Sequence, residues 1–202
     1  MSQTVDHYHF LISPWTYLAI DRFNELRDQS GITVNCKPIN PMETFDKMGG
    51  TPPPKRHPSR QRFRFDELKR WSAYLGIPLN LTPAFFPADQ TLAAQMVFAS
   101  GGADGNLDAS RFSDAVLTAV WKEERNIADE STLISIADEV GLDGKQLIEK
   151  ARTDEFVTLY VNTTEEAHNR DVFGSPTYVV NDENFWGQDR LDFLQRYLQE
   201  LA

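Results

Sequence analysis

Strand-forming patterns sit only at the two ends of this chain, and that placement restricts its fold more than any single motif does. Residues 5–12, VDHYHFLI, are rich in β-branched and aromatic types and run into Ser13-Pro14. This reads as a buried strand ending at a turn. From Trp15 the apolar residues Leu18, Ala19, Phe23 and Leu26 recur at helical spacing until Gly31 stops them. Ile32 to Ile39 is a second short strand, closed by Asn40-Pro41. Strand, helix, strand with short connections is a βαβ unit with parallel strands. At the far end, Thr177–Val180, the turn Asn181-Asp182 and Asn184–Trp186 read as a hairpin. A last amphipathic helix carries Leu191, Leu194, Leu198 and Leu201.

Between these ends no strand pattern is visible. After the breaker-rich GGTPPPKRHP (49–58), helical periodicity marks Phe65–Leu75, Leu92–Ala99, Phe112–Val120, Leu133–Val140 and Leu147–Ala151, with a further helix expected over Glu155–Arg170. The expected class is therefore α/β: a thioredoxin-like fold, βαβ…ββα, with a large all-helical insertion. Residues 1–40 and 171–202 form the two halves of one mixed sheet domain, and 41–170 the inserted helical subdomain.

Composition narrows the function. At 202 residues the chain needs no metal or disulfide to hold a core. Its formal charge of −10 repels phosphate backbones, so no nucleic-acid partner is expected. Cys36 is the only cysteine, which rules out an intramolecular disulfide and a thiolate zinc site. The N-terminus lacks a basic leader, and no apolar run approaches the ~18 residues of a spanning helix. A soluble, cytoplasmic protein with no membrane partner is expected.

Four segments could carry chemistry. In Ser13-Pro14-Trp15-Thr16, a serine precedes a proline suited to the first helical position. Free amides and the positive helix end stabilise anions there, thiolates included. The plain alternative makes Ser13 a helix cap, worth ~1 kcal/mol. In Gly174-Ser175-Pro176-Thr177, a cis Pro176 would turn the Ser175 backbone toward a ligand, whereas an ordinary trans proline would only open an edge strand. In FWGQDRL (185–191), Asp189 either caps the final helix or binds an ammonium group. Finally, residues 55–70 hold seven of the 20 basic residues, among them Lys55, Arg56 and Arg62. They form either a solvated helix face or an anion site. His7 and His9 alternate along a strand without a third metal ligand, so no metal is expected. Cys36 reads as a small buried hydrophobe. Trp71, Tyr74 and Phe85-Phe86 read as core.

The chain resembles the 2-hydroxychromene-2-carboxylate isomerases, a branch of the DsbA-like thioredoxin superfamily beside the kappa-class glutathione transferases. The resemblance rests on ISPWTYLA (12–19), KRHPSRQR (55–62), ELKRW…LGIP (67–78), WKEERNIAD (121–129) and VFGSPTYVV…FWGQDRLDFL (172–194), and covers nearly the whole chain. The superfamily's C-x-x-C positions are Ser13 and Thr16 here, so dithiol–disulfide exchange cannot run through them. What the resemblance implies is a glutathione-dependent isomerase in aromatic catabolism, acting on a small aromatic carboxylate and built as a homodimer. Ser13 would stabilise the glutathione thiolate, and Ser175 beside Pro176 would pair with the cysteinyl backbone. Asp189 with Arg190 would hold the γ-glutamyl end, and Lys55, Arg56 and Arg62 would serve the substrate carboxylate. A kappa-class-like transferase or peroxidase, or a non-catalytic glutathione- or peptide-binding module, is the alternative.

Overall fold

A computed structural model describes residues 3–201. Four strands, β1 (Thr4–His9), β2 (Thr33–Pro38), β3 (Thr177–Val180) and β4 (Glu183–Trp186), form one sheet in the order β2-β1-β3-β4. β1 and β2 are parallel, with Thr4 opposite Thr33 and His9 opposite Pro38. β3 runs antiparallel to both β1 and β4. The sheet is mixed and joins the two ends of the chain, as the pattern required.

The helices are α1 (Pro14–Ser30), α2 (Pro41–Lys47), α3 (Pro58–Leu75), α4 (Thr91–Ala99), α5 (Leu107–Trp121), α6 (Glu130–Glu139), α7 (Gly144–Ala151), α8 (Asp154–Asn169) and α9 (Leu191–Glu200). β1 is shorter than its hydrophobic run. Past His9 the chain turns, Ser13 N–H donates to the Phe10 carbonyl, and Leu11 is fully buried without belonging to a strand. Asn40-Pro41 does more than stop β2. The Asn40 side chain accepts from the Met42 and Glu43 amides and Pro41 takes the first helical position, so the pair starts α2, a helix not anticipated above.

Side chains alternate across β1 and set the two faces of the sheet. Val5 packs with Phe23 and Leu26 of α1 and with Leu194 and Leu198 of α9. Tyr8 packs on the opposite face with Ala167 of α8. The helical segment shares its core with the sheet, since Leu11, Leu18 and Cys36 join the cluster of Met96, Phe112, Leu117 and Trp121. Two aromatics expected in the core are exposed instead: Tyr74 by 80% and Phe85 by 48%. Tyr74 lies on α3, which buries only Leu68, so most of that helix faces outward.

A charged cluster fastens α8 to the sheet. Arg170 donates to Asp6 of β1 at 2.5 Å and to the Tyr8 hydroxyl at 3.0 Å. Lys37 of β2 pairs with Asp6 at 3.1 Å and with Glu166 at 2.9 Å. Burial works against the Arg170 charge, but its bonds to Asp6 and Tyr8 outweigh that and raise its pKa. Removing one member strands its buried partner. Because Lys37 still compensates Asp6, Arg170→Met is expected to cost about 2 kcal/mol in urea unfolding, and Arg170→Met with Asp6→Asn less than the single change.

On the other face His7 stacks on His9 at 4.4 Å, and His9 Nε2 meets the Ser113 hydroxyl at 2.8 Å. Burial holds the pKa of His7 well below its usual value and that of His9 at about 4. Burial raises Asp114, which accepts from Asn24, to about 6. Between pH 6 and 4 the unfolded chain binds a proton at each histidine that the folded chain refuses, whereas folded Asp114 holds one that the unfolded chain lacks. The two depressed histidines outweigh the single raised carboxyl, so stability should fall as pH drops through this window. His9→Gln keeps a partner for Ser113 and should flatten that slope in urea midpoints measured from pH 6 to 4.

Candidate active site

The start of α1 is built by its own sequence. Ser13 is extended (φ −85°, ψ 121°), its hydroxyl accepts from the Thr16 amide at 3.3 Å, and Pro14 opens the helix. The capping role is therefore real. It uses one lone pair, and among the described residues the hydroxyl proton has no acceptor. Ser13 is 6% exposed.

The segment before β3 is tied directly to this turn. The peptide bond between Ser175 and Pro176 is cis. The Ser175 hydroxyl accepts from Phe10 N–H and shares a 2.8 Å hydrogen bond with the Thr16 hydroxyl. Ser13 and Ser175 thus belong to one locked corner, with Thr16 as the bridge that the sequence reading did not foresee. Among the described residues, neither the N–H nor the C=O of Ser175 has a backbone partner.

A cleft of about 600 Å³ opens beside this corner, a volume suited to small-molecule ligands. Ser175 and the run Trp186 to Arg190 form one wall, and α3 forms the other. Gly187 N–H donates to the Pro176 carbonyl, which holds the 186–190 loop against the start of β3. Gly187 has φ +109°, a backbone conformation that requires glycine, and a Cβ there would also push the Asp189 carboxylate, 2.6 Å away, out of its place. Asp189 makes no helix-capping bond; it faces the cleft and pairs with Arg190 at 2.9 Å. The Trp186 indole lies over Gly174, where a Cβ would meet Nε1 at 2.4 Å.

The α3 wall follows helical geometry. Arg60, Phe63, Arg64, Glu67 and Trp71 recur at three- and four-residue steps and line the cleft, with Arg56 just ahead of the helix. Arg62 falls on the exposed opposite side, and Lys55 is exposed in the preceding turn; neither lines the cleft. Of the three basic residues singled out above, only Arg56 is brought to the site, and Arg60 and Arg64 were missed. Counting back from Trp71 in helical steps would have found both. Burial, with Arg56 nearby, lowers Arg64 to about 10, and burial with Arg60 nearby lowers Arg56. The guanidiniums of Arg60 and Arg64 have no hydrogen-bond or ion-pair partner among the described residues; Arg64 only approaches the Phe65 ring, at 5.9 Å.

Residues 4–199 match the model of the DSBA-like thioredoxin domain. A 2-hydroxychromene-2-carboxylate isomerase of Sphingobium xenophagum is 32% identical over 98% of this chain and 99% of its own. The chain belongs to the 2-hydroxychromene-2-carboxylate isomerase family of DSBA-like thioredoxin domains. A solved structure of a 2-hydroxychromene-2-carboxylate isomerase superposes with a TM-score of 0.83 at 28% identity, covering 98% of this chain and 95% of that one. Glutathione S-transferase kappa 1 of Caenorhabditis elegans is 23% identical over 97% of this chain and 91% of its own. In this chain the cleft sits where the strand-bearing segments that carry Trp15, Ser175 and Trp186 meet α3. No helix among the described residues is long and apolar enough to cross a membrane.

Proposed function

We propose that this protein is a glutathione-dependent isomerase acting on 2-hydroxychromene-2-carboxylate and its open-chain isomer. The observation that carries the reading is the corner where Ser13, at the start of α1, is locked through Thr16 to Ser175, whose N–H and C=O have no backbone partner among the described residues. An extended tripeptide needs such groups, since strand-like pairing of its backbone requires a free N–H and C=O. The isomerase and transferase names of the relatives support the same choice.

Each residue then has a task. Ser13 donates its hydroxyl proton to the sulfur and, with the amides of the first turn of α1, favours the thiolate. Ser175 aligns the cysteinyl unit, while Asp189 takes the γ-glutamyl ammonium and Arg190 the carboxylate next to it. Held there by Ser13, Ser175, Asp189 and Arg190, glutathione would supply a thiolate nucleophile for the conjugated enone of the ring-opened substrate. The arginines of the α3 wall hold the carboxylate charge of the substrate. We carry a cytoplasmic homodimer with this reading, and the mass in solution checks the dimer.

Absorbance tests the activation itself. Mixing the protein with glutathione at neutral pH should raise the thiolate band in proportion to bound ligand. Binding without that band would return the protein to the class of passive glutathione-binding modules.

A further inference from the structure

Asp189 and Arg190 stand on a single 3₁₀ turn, Gln188–Arg190, closed by the Arg190 N–H on the Gly187 carbonyl. One turn fixes several dihedrals for one hydrogen bond, so it needs outside support to keep its place. On one side Gly187 N–H gives that support by donating to the Pro176 carbonyl. On the other side it comes from α1. Arg22 Nη1 donates to the Gln188 carbonyl at 3.2 Å and to the Gln188 side-chain oxygen at 3.3 Å, and Nη2 donates to the Asp192 carboxylate at 2.9 Å. Asp189 therefore lies between two residues gripped by one planar guanidinium fork.

These bonds differ in weight. The Asp192 side chain is 75% exposed, so its ion pair is screened and adds little stability. Gln188 is 3% exposed, and losing Arg22 takes a donor away from its buried oxygens and loosens the turn. Arg22 itself does not line the cleft, whereas Gly187, Gln188, Asp189 and Arg190 do. It stands on the helix that Ser13 opens, ~13 Å further along at ~1.5 Å per residue. One rigid helix thus carries the Ser13 end of the site directly and fixes the Asp189 end through Arg22.

We propose that Arg22 is a positioning residue: by holding the 188–190 turn from α1, it sets Asp189 where the γ-glutamyl ammonium arrives. This assignment rests on the proposed reading in which glutathione is the ligand and Asp189 the partner of its ammonium.

Two thiols separate positioning from general support of the fold: glutathione, and cysteinylglycine, which lacks the γ-glutamyl unit. A loosened turn must be ordered when glutathione binds, so in calorimetry Arg22→Met should weaken it about five- to twentyfold. Cysteinylglycine has nothing to place at Asp189 and should bind within about twofold of wild type, which also certifies the fold of the variant. Combining Arg22→Met with Asp189→Ala should weaken glutathione no further than Asp189→Ala alone, because both changes act on one contact. Arg22→Lys keeps a donor for Gln188 without the fork and should recover part of the loss. In the ligand-free protein, amide hydrogen exchange at Gly187 and Arg190 should quicken in Arg22→Met. Equal losses for the two thiols, multiplicative losses in the double variant, or unchanged exchange at these amides would overturn the assignment. Failure of the wild type to bind glutathione at all would instead overturn the function proposed above, and the exchange rates would still decide whether Arg22 holds the turn.

Discussion

Ser13→Ala is expected to lower the glutathione-dependent isomerisation rate near neutral pH about 10- to 150-fold. A hydrogen bond to a charged group is worth roughly 1.5–3 kcal/mol, and its loss should raise the pKa of the bound thiol by a unit or more. The same change removes the acceptor of the Thr16 amide and should cost ~1 kcal/mol of stability. These two consequences separate cleanly. A cap acts on unfolding and leaves the pH profile of the folded enzyme in place, whereas loss of thiolate stabilisation moves the profile toward higher pH. Glutathione affinity should change far less than the rate, because the proposed reading has Ser175 and Asp189 hold other parts of the tripeptide. Superimposable profiles at saturating glutathione would leave Ser13 a cap and nothing more.

Asp189→Ala should weaken glutathione binding about 5- to 50-fold in calorimetry. The carboxylate side chain is 43% exposed, and solvent screening keeps the effect below that of a buried pair. No capping bond is lost with it, so unfolding stability should hardly move. Asp189→Asn should fall between the two, since it keeps an acceptor without the charge. The affinity loss should also shrink at high salt, where exposed charges are screened. An unchanged affinity would leave the ammonium with another partner.

The sheet and most helices were legible because they follow from periodicity and punctuation, which are local. Gly31 and Gly76 end α1 and α3 with φ of 60° and 68°, and Ser13-Pro14 starts α1 as a serine–proline pair should. Asn40-Pro41 is at once a strand stop and the same start signal, and the short run behind it, in which only Thr44 is buried, shows no apolar period to reveal α2. The long-range ties were out of reach. Asp6 meets Arg170 across 164 residues, and Thr16 meets Ser175 across 159; no spacing encodes either bond. At the site, motifs mark positions 13, 175 and 189 in the sequence, whereas residues 55–70 show there only a run of basic residues. A helix shows one face to the cleft, so Arg60 and Arg64 line it and Arg62 cannot. Tyr74 and Phe85 misled for the opposite reason: aromatic side chains suggest burial, but α3 packs inward through Leu68, Trp71 and Leu75 and turns Tyr74 outward, while Phe85 lies exposed in the segment between α3 and α4.

The central claim is that this cleft isomerises its substrate only with glutathione in place. Its most direct test is the rate at which purified protein interconverts trans-o-hydroxybenzylidenepyruvate and 2-hydroxychromene-2-carboxylate, followed by absorbance as glutathione is added from zero to saturation. The account predicts a rate at background without the thiol, rising hyperbolically with glutathione, and no net loss of glutathione after many turnovers. Isomerisation at full rate in its absence, or glutathione consumed in step with substrate, would contradict it.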